Sequence, residues 1–398
     1  MHSLREASTG RDIIRSGSCN PLLDRAPGLW QEREILSGAQ RKYDKGFACE
    51  WISDRLVVVG TKCNHLLCLD VATGRMAEVP LPPARHIPPR ADPHAVNAQS
   101  NGLSPVTGNC GIHAIAFSPN RRLMATGGNN PAHCQVFEVD VHEGRQPQAC
   151  FRPVQTLMGH QDWIFGIAWV TDRHLVTGSR DRTAKLWHVD EQPSAAHYTP
   201  LQSQSQKDEV KVRDVKYQQS SCRVLTLTTN GFVQIWDPHL NYISQVQLPQ
   251  NKEAVCMAVC DQLAAVGTQS YITLMDPRCR LAQADIPSSD PHHGVRSLSI
   301  QGHLLSCGSG RGQLAFWDLR AGRYLELHPS PGEDESRSHL QLGRGWLMED
   351  SIYWEHFTNV RIHNACYAHA WDPSCTKLMT VGGPLPYGLR GSYLGLWD

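Results

Sequence analysis

The chain of 398 residues has no charge excess of either sign: Lys and Arg total 38, and so do Asp and Glu. A protein that grips phosphate backbones non-specifically carries a basic surplus, so no nucleic acid is expected as a partner. No apolar run approaches the length of roughly 20 residues that a membrane-spanning helix needs, and the opening MHSLREASTGRD lacks the apolar core of a signal peptide. No membrane partner is therefore expected. The 14 cysteines are scattered, with no CxxC pair, and several sit inside strand-like runs (Cys68, Cys256, Cys260). Their pattern fits thiols used as small buried hydrophobes in the reducing cytoplasm or nucleus. None of the histidines, including His292-His293 and the pair His86 and His94, has zinc-ligand spacing with these cysteines, so neither metal nor cofactor is expected.

What the sequence has is a repeat. With 40% hydrophobic residues a real core is available. The segment GHQDWIFGIAWVTDRHLVTGSRDRTAKLWHVD, from Gly159 to Asp190, sets the template. It reads as a Gly-His, a β-run, a second β-run ending in Gly-Ser, a tight turn with Asp, and a strand closing on Trp187. His160, Thr177, Asp181 and Trp187 are placed to link the strands by hydrogen bonds, which such polar groups need once buried. The cadence recurs at Trp51 to Asp70, Gly111 to Asp140, Val212 to Asp237, Ala254 to Asp276, Gly294 to Asp318 and Cys366 to Asp398. Seven such units predict an all-β, seven-bladed WD-repeat β-propeller.

Residues 1–27 are expected to form a partly disordered tail, and 28–398 the propeller, interrupted by long loops at 80–109 and 329–359. Trp346, Trp354 and Phe357 suggest that the second loop packs on the ring. Blade seven closes on Trp397-Asp398 as a third strand. Residues 31–36 are therefore expected to supply its fourth strand and close the ring.

Two motifs imitate catalytic ones. Gly308-Ser-Gly310-Arg-Gly312 resembles a phosphate loop but lies between β-runs rather than before a helix, so a turn is expected. Ser374 and Lys377 have the spacing of a Ser-Lys nucleophile but lie within a blade and lack the supporting motifs. The protein is not expected to be an enzyme.

Cations recur at equivalent repeat positions. The innermost strand begins with His113, Arg213 and Arg296, with Lys211 beside Arg213. The turn after the second strand carries Lys62, Arg180 and Arg311. Rotational repetition would gather these around one mouth of the central channel, as a cationic ring suited to carboxylates. Basic residues also populate turns for no such reason. At the opposite face, Asp276-Pro-Arg278 and Asp318-Leu-Arg320 place an Arg two residues after the blade-closing Asp. These could form a docking surface, or each Arg could pair with its own Asp.

GTKCNHLLCLDV, CGIHAIAFSPNRRLMATGGNNP, DWIFGIAWV with GSRD, MDPR, GRGWL and the terminal GGPLPYGLRGSYLGLWD resemble the cullin-4-associated WD-repeat factors, substrate receptors of cullin–RING ubiquitin ligases. The resemblance covers residues 28 to 398. It implies recruitment of proteins with acidic C-termini ending in two glutamates, and attachment to the cullin through a three-propeller adaptor. Carried onto this sequence, Lys62, Arg180, Lys211, Arg213 and Arg296 would line the tail pocket, and Arg278 and Arg320 would face the adaptor. Arg311 rests on the repeat position alone. The first 25 residues depart from the longer basic tail that relatives carry. A WD-repeat scaffold in another assembly would keep the propeller but need neither cation set.

Overall fold

The computed structural model describes residues 30–35, 42–82, 111–142, 144, 148–189, 197–200, 210–249, 253–279, 281–327 and 339–398. The expected tail 1–27, residues 83–109 of the first loop and 329–338 of the second lie outside them.

Period-two runs rich in Val, Leu, Ile and Ala become strands because their alternate residues reach apolar cover on a sheet face. The described residues form seven antiparallel sheets, each built on a meander of consecutive strands, to which blades six and seven add strands from elsewhere in the chain. The blades' inner strands are Gly46–Trp51, Ile115–Phe117, Ile164–Trp169, Val212–Gln218, Cys256–Val259, Val295–Gln301 and Asn364–Trp371. Apolar side chains gather between neighbouring sheets rather than on the axis. Each of seven buried clusters draws on two adjacent blades, for example Val57 and Leu69 of blade one with Met379 and Leu396 of blade seven. The core is thus a ring, which leaves an axial channel.

Blade three contains the expected network. His160 meets Asp181 through Nδ1 at 2.8 Å and Thr177 through Nε2 at 2.7 Å, while the Trp187 indole N–H donates to Thr177 Oγ1 at 2.7 Å. The Trp-to-Thr bond survives without the rest in blade four (Trp236 to Thr226, 3.0 Å) and blade seven (Trp397 to Thr380, 3.1 Å).

Ring closure follows the expectation. Glu32–Glu34 runs antiparallel to Gly391–Trp397, pairing Glu32 with Trp397 and Glu34 with Gly395. The Glu32 carboxylate accepts from the Tyr393 hydroxyl and the Gly343 N–H, and Trp30 stacks on Phe316.

The loop expected at 329–359 needs correction where it is described. His339–Gln341 pairs with Gln313–Ala315, Trp346–Leu347 pairs with Gly391 and Ser392, and Ser351–His356 is a short helix capped by Asp350. The reason is an open edge: Arg323–Tyr324 covers only Trp317 and Asp318 of blade six's third strand, and the returning chain satisfies the remainder. Nor do the three aromatics act together. Trp346 and Phe357 are half-buried, whereas Trp354 is largely exposed.

The catalytic look-alikes resolve as turns. Leu304–Ser309 and Gln313–Asp318 flank Gly310. Ser374 Oγ donates to Asp372, while the Lys377 ammonium donates to the Asp54 carbonyl at 3.2 Å, so the two do not form a couple.

Candidate functional site

In five blades the pairing of the inner and second strands slips by one residue at the same place. The slips fall between Gly46 and Ala48, Ile164 and Gly166, Val212 and Asp214, Val295 and Ser297, and Cys366 and Ala368. A β-bulge leaves one residue unpaired and re-aims its side chain. The residues released are Phe47, Phe165, Arg213, Arg296 and Tyr367. With His113 and Val255 from the two remaining blades, they line the upper part of a cavity of about 350 Å³ that runs down the channel as far as Glu50, Gln301 and Trp371.

The ring is divided. An aromatic arc runs from Tyr367 through Phe47 and His113 to Phe165. Phe47 lies edge-on to Tyr367 at 5.1 Å and stacks on His113 at 4.6 Å, and His113 meets Phe165 edge-on at 4.8 Å. Arg213 and Arg296 hold the other side, with Val255 between their blades. The Arg213 guanidinium lies 4.4 Å above the Phe165 ring, which joins the arcs by a cation–π contact. Part of Arg213 is accessible from the channel, but its Nε is buried and has no hydrogen-bond partner. Desolvation, then repulsion from Arg296, weaken its hold on the proton. Arg296 folds back over Gly294, donates from Nε to the His293 carbonyl at 3.1 Å, and reaches the exposed Glu253 at 3.3 Å. Gly294 is required there: its φ is +78°, and a Cβ would fall 3.3 Å from Arg296 Nη2. Burial pushes the Tyr367 hydroxyl up to about 12, against the pull of Arg296, so it stays a neutral donor.

The other expected cations stand around this mouth. The N–H of Lys62 donates to the Lys45 carbonyl, that of Arg180 to Trp163, that of Thr229 to Lys211, and that of Gly310 to Gly294. One recurrent bond thus ties the turn after the second strand to the residue ahead of the bulge in four blades. Lys62 and Arg180 therefore occupy equivalent rim positions, and Lys211 sits one step before Val212. Lys62 is bound to Asp44 at 3.0 Å, and Arg180 lies over Trp163 and 3.4 Å from Asp162. Arg311 is out of step. Gly310 holds the position equivalent to Lys62, and Arg311 stands where blade three has Asp181: both N–H groups bond the preceding serine, Ser309 or Ser179. Its backbone also donates to Asp290, which takes over the acidic role. The uniform cationic ring is therefore corrected to two cations facing an aromatic arc, with Lys62, Arg180 and Lys211 on the rim. Sequence reading missed Phe47, Phe165, Val255 and Tyr367 because only charge was compared across repeats. Their common step after the inner strand's start was the available signal.

Lower in the channel, Lys216 binds Asp214 at 3.1 Å, and Asp214 also accepts the N–H groups of Val215 and Met257, each at 2.8 Å. Glu50 lines the same cavity, and burial pushes its carboxyl up to about 7 against the pull of Arg121 and Lys216.

At the opposite end, Arg278 forks onto Asp276 through Nε at 3.0 Å and Nη2 at 2.7 Å. Arg320 lies 3.7 Å from Asp318. Each arginine pairs with its own blade-closing Asp, yet about half of each side chain remains exposed (53% and 51%). Among the described residues no His, Cys, Asp and Glu cluster could hold a metal, and no helix is long and apolar enough to cross a membrane.

The DDB1- and CUL4-associated factor 12 beta propeller family matches residues 26–201 and 192–398. The chain belongs to that family. A ribosome biogenesis protein WDR12 homolog from Culex quinquefasciatus is 26% identical over 144 residues, 33% of this chain and 32% of that protein. Coronin-7 from Rattus norvegicus is 27% identical over 248 residues, 57% of this chain and 25% of that protein. The chain thus matches about a third and a quarter of these relatives' lengths. Among solved structures, the WD40 repeats of RRP9 align with a TM-score of 0.62 at 13% identity, covering 92% of this chain and 97% of that one. U3-55K aligns equally well, with 98% of its chain covered. At this identity the likeness shows the WD-repeat fold alone.

Proposed function

We propose that the protein is the substrate-recognition subunit of a cullin-4 RING ubiquitin ligase, and that the channel mouth captures acidic C-terminal tails, those ending in two glutamates above all. The observation that carries this reading is the Arg213 guanidinium, desolvated beside Arg296 with its Nε unpartnered. Nε itself is closed off, so an incoming carboxylate would meet the part of the guanidinium that is accessible from the channel, as a charge-assisted hydrogen bond. Each charge-assisted bond to an arginine contributes about 1.5–3 kcal/mol, so two carboxylates on two arginines suffice for a useful affinity. The cavity is at the small end of ligand pockets, which span about 300–1,000 Å³, and so suits a chain end rather than a folded element. Lys62, Arg180 and Lys211 would steer the tail from the rim. Arg311 is not retained as a pocket residue.

Membership of the family supports attachment to the DDB1 adaptor and to cullin-4. The exposed parts of Arg278 and Arg320 are the assigned adaptor contacts, on the face away from the tail. Cytoplasm and nucleus are the proposed compartments. A pull-down comparing peptides ending in Glu-Glu, in amidated Glu-Glu and in Ala-Ala tests the tail reading. Capture of the first alone is expected, and equal capture of all three would overturn it. Recovery of the adaptor from cells expressing the chain tests the ligase reading.

A further inference from the structure

Below the level of the two mouth arginines lies one carboxyl that forms no direct ion pair among the described residues, with Arg121 and Lys216 acting on it only at a distance. Strand register sets Glu50 and Lys216 at one level: Glu50 pairs with Val58 and Lys216 with Leu225, each the third pair counted from the bulge. Both line the cavity. Lys216 is matched by Asp214, and Asp214 is further satisfied by two backbone N–H groups. The Glu50 side chain accepts no hydrogen bond and forms no ion pair among the described residues, although it is half-buried. In blade three the same level carries Ala168, and in blade seven Ala370, both neutral. The acid is thus particular to blade one.

We propose that Glu50 is a specificity-determining residue of the mouth: its carboxylate, facing Lys216 in the channel, stops an acidic chain end at the level of Arg213 and Arg296 and rejects a further carboxylate below them. The inference rests on the acidic-tail reading above and adds a lower boundary to that site. The charges surrounding Glu50 are Lys216 and Asp214 of blade four, Arg121 of blade two, and Arg213, Arg296 and His113 at the mouth. Lys216 is engaged by Asp214, Arg121 donates to the Trp51 carbonyl, Arg296 is held by the His293 carbonyl and Glu253, and Arg213 lies over Phe165. A bound tail therefore adds negative charge above an acid whose only compensation is the distant pull of Arg121 and Lys216. The raised position of the Glu50 carboxyl, about 7, agrees with that environment. Protonation neutralises it, so acidic tails bind more tightly as pH falls through 7.

The test measures the affinity of a peptide ending in Glu-Glu for the whole chain at pH 8 and pH 6, in the wild type, in Glu50→Gln and in Lys216→Met. Glutamine keeps the size and hydrogen-bonding shape of the protonated acid, so the fold is preserved. The wild type should bind about tenfold more tightly at pH 6, on the order of the effect of one unit charge across a partly screened channel. Glu50→Gln should bind at pH 8 about as tightly as the wild type does at pH 6, with most of the pH dependence gone. Lys216→Met, which leaves two acids without their cation, should weaken binding at both pH values. Equal affinity and an unchanged pH profile in Glu50→Gln would overturn this inference alone. Capture by neither protein would overturn it together with the tail reading.

Discussion

The two ends of the channel use arginine in opposite ways. At the far end, Arg278 is forked onto Asp276, whose side chain is only 3% exposed and whose carboxyl is held low chiefly by that arginine. The pair is complete, and about half of the arginine's side chain remains exposed. At the mouth, Arg213 is aimed by a bulge into a channel, lies over an aromatic ring, is repelled by Arg296 and keeps an unpartnered Nε. One end is an arginine at rest, and the other is an arginine held in readiness. The difference teaches that charge at a repeat position does not by itself mark a site; the state of the charge's local partners does. Arg311, a cation whose backbone is tied to Asp290 and Ser309, makes the same point.

The largest effect expected is on binding at the mouth. Reversing both charges, Arg213→Glu with Arg296→Glu, should reduce capture of a Glu-Glu tail by a hundredfold or more, since each lost charge-assisted bond contributes about 1.5–3 kcal/mol. Peptide titration reads this, and an unchanged circular dichroism spectrum shows that the fold persists. Wild-type affinity should also fall with added salt, as the Debye length shrinks to about 3 Å near 1 M.

The next tests act on the far end. Arg278→Ala with Arg320→Ala should lower adaptor recovery several-fold while leaving peptide affinity unchanged. Wild-type recovery from the double variant would mean that these arginines serve only their own aspartates.

Thermal stability separates the ends more finely. Arg213→Met removes a desolvated, repelled charge, so stability should hold or rise by on the order of 1 kcal/mol, read as an unchanged or higher Tm, even as binding is lost. Arg278→Ala should lower Tm slightly, because an almost buried carboxylate loses its fork. A fall in Tm for Arg213→Met as large as that for Arg278→Ala would erase the contrast.

The smallest effect concerns acid. Asp276 titrates below its unfolded value, so it contributes stability above roughly pH 4, lost as pH falls through the folded value. Arg278→Ala should therefore cost its small share of stability near pH 7 and make little difference once Asp276 is protonated, so the variant loses less stability than the wild type on acidification. Monitoring unfolding between pH 2 and 5 would show it.

Much of this was legible from sequence because a repeat protein writes its fold many times over. The alternation of apolar residues fixes strands, the Gly-His to Trp cadence fixes blades, and the blade-three network of His160, Asp181, Thr177 and Trp187 stood as spelled. So did closure by Glu32–Glu34, which follows from an unpaired edge needing backbone partners. Two of the expected cations, Arg213 and Arg296, reached the cavity because they occupy the one step that the bulge releases. Less was legible in the segment after blade six, where Gly312–Gln341 and Trp346–Gly391 contacts join residues distant along the chain. No local pattern there distinguishes strand from loop.

By itself, then, the sequence determined that seven similar sheets would stack around an axis, because hydrophobic period and turn chemistry are local properties. Tertiary structure alone decided which side chains meet at the mouth. The bulge in five of the inner strands, visible only as a one-residue slip in pairing, set Phe47, Phe165 and Tyr367 against Arg213 and Arg296, with His113 completing the arc and Glu50 left below them. Burial and like-charge proximity, which no single repeat encodes, then made Arg213 a donor in need of a partner.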